Sequence, residues 1–102
     1  MNQNMMKKLQ QMQKDMQKAQ KELEASIFYG QAGGKTVEVE FNGAKVMQNL
    51  TIDKEAFDLP EDLEMLEDTI TAAVNDCMRK IDEETQNTMG QFTEGLNVPG
   101  MF

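Results

Sequence analysis

The chain has 102 residues, with 18 Asp and Glu against 10 Lys and Arg for a formal net charge of −8, no histidine and one cysteine. That length fits one domain with a modest core, and the cysteine and histidine usage leaves no plausible zinc site and no intramolecular disulfide. No apolar run approaches the roughly 20 residues of a membrane span, and the opening MNQNMMKKLQQMQ lacks the apolar block of a secretory leader, so a cytoplasmic protein that does not use a membrane is expected.

Charge is divided unevenly along the chain. Residues 1–26 carry five lysines (Lys7, Lys8, Lys14, Lys18 and Lys21) against three acidic residues, a net of +2, which leaves −10 for the rest. Such asymmetry points to a polyanion at the N-terminal segment, with the acidic remainder keeping the molecule soluble; a lysine-rich solvated helix is the plainer reading of the same charges.

Residues 4–25 are predicted to form the first helix. Met5, Leu9, Met12, Met16, Ala19 and Leu23 alternate in steps of four and three, an a/d seam of heptads. Lys7, Lys14 and Lys21 all fall at f, opposite the seam and about 10.5 Å apart at 1.5 Å of rise per residue, with Lys18 at c beside them. Gln10, Gln13, Gln17 and Gln20 fill much of the remaining surface. Lysine and glutamine both bond phosphate oxygens without reading bases, so this face suits a nucleic-acid backbone. Lysine is equally a good helix former at a solvated f position. The seam is rich in methionine, which repacks easily and serves either a core or an adaptable groove.

The middle of the chain reads as sheet. Ser26–Tyr29 is expected to add a short strand, GQAGG (Gly30–Gly34) a flexible link, and KTVEVEF a half-buried strand with Val37, Val39 and Phe41 on one face and Thr36, Glu38 and Glu40 on the other. Asn42-Gly43 predicts a type I′ hairpin, whose two central residues need positive φ. The return strand, Ala44–Ile52, is expected to face Val46, Leu50 and Ile52 inward, with Gln48 out of place at its centre. The sheet thus spans residues 26–52. GQAGGKT is not a phosphate-binding P-loop, because it runs into a strand where that motif opens a helix.

The last helix is predicted over residues 59–89. Leu59, Leu63, Leu66, Ile70, Ala73 or Val74, Cys77 and Ile81 form its apolar face. Asp58 with Glu61 makes a capping-box arrangement, and Pro60 suits the first turn. Gly90, Gly95, Pro99 and Gly100 should interrupt it and leave 90–102 as a flexible tail. Nothing here supports catalysis: no serine has an obvious base partner, and Cys77 on the apolar face reads as a buried, inert thiol. The acidic groups Glu61, Glu64 and Asp68, and Asp82, Glu83 and Glu84, read as solvated helix faces that a partner protein or divalent ions would also suit.

Several stretches in order, AGG (Ala32–Gly34), FNG (Phe41–Gly43), IDKEAF (Ile52–Phe57), EMLEDTITAAVNDCMRKI (Glu64–Ile81) and GLNVPG (Gly95–Gly100), resemble the YbaB/EbfC family of bacterial nucleoid-associated proteins over nearly the whole chain. The resemblance implies an α-β-β-β-α subunit that forms a tweezers-shaped homodimer and binds DNA with little or modest sequence preference. Family DNA contacts are associated with the helices, so position carries over Lys7, Lys8, Lys14, Lys18 and Lys21 on the first, and Arg79 and Lys80 on the last. Glu38 and Glu40 stand where family members often carry an outward lysine.

The reading is therefore a single α+β domain, residues 1–102, with long amphipathic helices flanking a small antiparallel three-stranded sheet. It is expected to be a homodimer that needs no cofactor, catalyses nothing, and binds duplex DNA through phosphates in the nucleoid, affecting nucleoid organisation or gene expression. The alternative is a dimeric adaptor for replication or repair proteins with weak or no DNA binding, which the net charge favours as the lysine stripe favours the first.

Overall fold

Residues 3–94 are described by the computed structural model, and the alternation of VEVEF sets its centre. Val37, Val39 and Phe41 of β2 (Val37–Asn42) are buried, while Glu38 and Glu40 point to the opposite face, as a period of two requires. β2 pairs antiparallel on one side with β1 (Ile27–Ala32) and on the other with β3 (Met47–Ile52). Two helices flank this sheet in the order α-β-β-β-α: α1 (Gln3–Ala25) before it and α2 (Leu63–Glu94) after it, with a short 3-10 turn at Lys54–Ala56 between β3 and α2.

Ala73, Cys77 and Ile81, one helical turn apart, are fully buried on α2 and close the core against Val37, Val39 and Phe41. The helix rests directly on the backbone of β1. A Cβ on Gly30 would overlap the Ala73 carbonyl and lie 2.6 Å from Cys77 Cβ, so only glycine permits this approach. α2 covers β1 and β2 but not β3. Met47 and Leu50 face the helix side of the sheet, opposite Phe41 and Val39, yet stay 41% and 39% exposed.

Several expectations are corrected. The last helix begins at Leu63, four residues later than predicted. Pro60 and the Asp58/Glu61 pair stand in a turn ahead of it, because Asp62 donates its N–H to the Asp58 carbonyl (2.8 Å) while its carboxylate accepts the Asp58 N–H (2.9 Å). At its other end the helix runs through Gly90 to Glu94. One interior glycine weakens a helix by about 1 kcal/mol, too little to stop one otherwise well supported. Of the expected tail, 90–94 is thus helical, and 95–102 lies outside the described residues.

The return strand is shorter than predicted. Val46 is 55% exposed and precedes it. A bulge sets Glu40 opposite Asn49 but Phe41 opposite Met47, so Gln48 is the extra residue and Met47 takes the inner side. Asn42-Gly43 does mark the hairpin, but the turn is not type I′. Lys45 is the residue with positive φ (66°), Lys45 N–H bonds the Asn42 carbonyl (3.0 Å), and Asn42 Oδ1 accepts the N–H groups of Ala44 and Val46 (3.0 Å each). That is a turn closed by one left-handed residue, a three-residue loop. The supposed Gly-rich link mostly belongs to β1, which extends to Ala32. The chain reverses at Gly33, Gly34 and Lys35, with φ of 62°, 63° and 71°.

Candidate nucleic-acid interface

α1 meets the rest of the molecule at its C-terminal end. Leu23 is its one buried residue among those described. Ala19, Glu22, Leu23 and Ser26 line a groove against Glu84, Thr88 and Gln91 of α2. Ser26 ends the helix, its N–H bonding the Leu23 carbonyl (3.1 Å) and its Oγ the Glu22 carbonyl (2.8 Å). Towards the N-terminus the seam emerges into solvent. Met12, Met16 and Ala19 are half-buried, while Met5 and Leu9 are 56% and 44% exposed. The helix therefore projects as an arm, and the chain measures 69 Å along its longest axis but 16 Å along its shortest.

The arm presents its lysines outward. Lys7, Lys8, Lys14, Lys18 and Lys21 are all exposed. At 100° per residue Lys7, Lys14, Lys18 and Lys21 fall within an arc of about 60°, on the face away from the seam. Among the described residues none of the five forms an ion pair. Two nearby carboxylates are engaged by glutamines instead: Asp15 accepts from Gln11 (2.9 Å) and Glu24 from Gln20 (3.4 Å). The result is an open cationic stripe.

Arg79 and Lys80 belong to another part of the molecule. Both are exposed on α2, ahead of the stretch that α1 touches, and both are paired with Asp76, at 3.4 Å and 3.3 Å. Asp76 also accepts the Gln31 N–H (3.0 Å), and Lys80 donates to the Tyr29 carbonyl (3.0 Å). The two side chains thus satisfy a donor and an acceptor on the outer edge of β1, as a neighbouring strand would. The Gln31 N–H, with Lys80 and Arg79, holds the Asp76 carboxyl below its ordinary range against the opposing effect of burial. Reading the sequence missed Asp76. Its i,i+4 spacing to Lys80 was visible, but the strand atoms they share lie 45 and 51 residues away.

On the outer face of the sheet, Glu38 and Glu40 stand opposite Gln31 and Tyr29. Cys77 is fully buried, and burial pushes its thiol up, away from the reactive thiolate. Among the described residues no group of three potential ligands is placed to hold a metal ion, and no helix is long and apolar enough to cross a membrane.

An open lysine stripe on a projecting helix has the charge and exposure that suit a polyanion, and comparison with known proteins supplies the class. The sequence matches the model of the YbaB/EbfC DNA-binding family over residues 1–96. It is 50% identical over 99 residues to a nucleoid-associated protein of Oceanobacillus iheyensis, covering 97% of this chain and 94% of the relative. It is 52% identical over 80 residues to a nucleoid-associated protein of Listeria monocytogenes, covering 78% and 75%. Among solved structures, the uncharacterized protein HP0035 from Helicobacter pylori superposes with a TM-score of 0.74 at 26% identity, covering 91% of this chain and 98% of that one. The chain belongs to the YbaB/EbfC DNA-binding family.

Proposed function

We propose that the chain binds duplex DNA through the α1 stripe, by phosphate contacts that carry little sequence preference, and acts as a homodimer on the nucleoid without a catalytic step. The observation that supports this most is the set of five exposed lysines on the projecting arm, none in an ion pair among the described residues. Lysine and glutamine side chains both bond phosphate oxygens, and contacts of that kind position a protein on a duplex without carrying sequence information. Arg79 and Lys80 contribute less on this reading, since Asp76 already neutralises part of their charge.

Support for the dimer comes from the uncovered side of the sheet. Met47 and Leu50 on β3 are 41% and 39% exposed, and they lie on the strand that forms the free edge of the sheet. The opposite edge is closed by Asp76 and Lys80, so a second copy docks on the β3 side and buries these side chains.

Substituting Lys7, Lys14 and Lys21 together by Gln keeps helix propensity and removes charge. The variant is expected to bind every duplex more weakly, with the dependence of log affinity on log salt flattened by roughly 0.9 for each phosphate no longer neutralised. Wild-type protein that ignores duplex DNA at low salt, or a triple variant with wild-type affinity and slope, favours the adaptor for replication or repair proteins instead.

A further inference from the structure

Gly43 opens the β2–β3 turn, yet its reason for being glycine lies in α1. Its N–H donates to the Ser26 carbonyl at 3.0 Å. A methyl group on its Cα would overlap the Leu23 carbonyl and lie 2.6 Å from the Leu23 carbonyl carbon and 3.1 Å from Glu24 Cα. Gly43 does not occupy the left-handed region, so its backbone is open to any L-residue. What excludes a side chain is the last turn of the arm, pressed backbone to backbone against the loop. Two residues on, the Lys45 ammonium pairs with Asp82 Oδ1 at 3.0 Å, just ahead of the Glu84–Gln91 stretch of α2 that α1 packs against. One three-residue loop therefore grips both helices where they meet.

The geometry points to Gly43 as the positioning residue of the DNA-binding arm: by seating the C-terminal turn of α1, it sets the direction in which the lysine stripe leaves the body. This rests on the lysine-stripe reading above. Gly43 touches no ligand itself; it acts through Lys7, Lys14, Lys18 and Lys21. Leu23 completes the seat as the one buried side chain of the described arm.

The test is Gly43→Ala in the full chain, read in two ways. Residual dipolar couplings of backbone amides report the orientation of α1 relative to α2 and the sheet without DNA. Titration of a random-sequence duplex over a range of salt reports how many phosphates the protein neutralises. In wild type, α1, α2 and the sheet are expected to fit one alignment frame. In Gly43→Ala, α2 and the sheet keep that frame while α1 departs from it, DNA binding weakens, and the salt slope flattens by roughly 0.9 for each phosphate released from the arm. Combining Gly43→Ala with the triple lysine variant should add less than the sum of the two separate effects, as expected for residues acting through one another.

An unchanged α1 frame overturns the seat. A displaced α1 with wild-type affinity and slope overturns the positioning role, and the lysine reading then stands or falls separately on the triple variant alone. Should Gly43→Ala fail to fold, Leu23→Ala leaves the loop untouched and loosens the same seat, with the same two readouts and the same outcomes deciding.

Discussion

At the scale of single residues, Asp76 ties the long helix to the sheet. Its carboxylate joins Gln31 of β1 to Lys80 and Arg79 of α2. Because its partners hold the folded-state pKa below the ordinary aspartate value of about 3.9, its contribution is fully present above that value and is lost as pH falls through the depressed folded-state value. Replacing it by Asn should lower stability at neutral pH by about 1–2 kcal/mol, the range for a charged hydrogen bond discounted for partial exposure. The gap to wild type should close as pH falls below about 4, and urea melts at a series of pH values check both statements. Gly30 makes the complementary case, in which a missing side chain matters. Gly30→Ala forces a methyl into Ala73 and Cys77 and should destabilise by about 3 kcal/mol, the upper end of overpacking costs, measurable by thermal melting.

At the scale of elements, α2 carries a weakness that can be removed. Gly90 sits inside it, and a Cβ there meets nothing within 4 Å. Gly90→Ala should therefore raise stability by about 1 kcal/mol through helix propensity alone, seen as a higher midpoint in denaturant with an unchanged slope. The same glycine shows what periodicity reads well and where it fails. The alternation of β2 and the stripe through Ala73, Cys77 and Ile81 were legible, because burial follows a local period, whereas the predicted α1 seam is buried only at Leu23 and emerges into solvent at Met5 and Leu9. Boundaries were not. Asp62 moved the start of α2 by closing a turn on Asp58, and Gln48 became a bulge that changed which β3 residues face inward. Asn42-Gly43 marked the hairpin correctly for a reason that does not hold here, since Lys45 takes the left-handed position and Gly43 serves α1. The α1 lysines could be named from spacing. Their seat could not, because Gly43 meets Leu23 across twenty residues of sequence and only the folded backbone brings them together.

At the scale of the whole molecule, the three-stranded sheet has unequal edges. One is occupied by Asp76 and Lys80; the other, β3, is open beside exposed Met47 and Leu50. If the open side is where two copies meet, Leu50→Glu places a charge in that interface and should shift the protein from dimer towards monomer by light scattering, while circular dichroism keeps its helical signature. The net charge of −8 does not forbid DNA binding by such a dimer. At physiological salt the Debye length is about 8 Å, and the distal lysines of an arm within a 69 Å molecule stand several such lengths from most of the acidic body.

The projection of α1 turns small rotations into large displacements. Lys21 lies about 3 Å along the axis from Leu23 and Lys7 about 24 Å, at 1.5 Å per residue. A tilt of about 10° about the seat therefore shifts Lys21 by about 0.5 Å and Lys7 by about 4 Å, the latter more than the roughly 3.4 Å of axial rise between successive phosphates of one strand. On the reading proposed here, a change in the angle of the seat leaves the proximal lysine matched to its phosphate and carries the distal one past its own. The farther a lysine lies from Leu23, the more its position depends on how that last turn is seated.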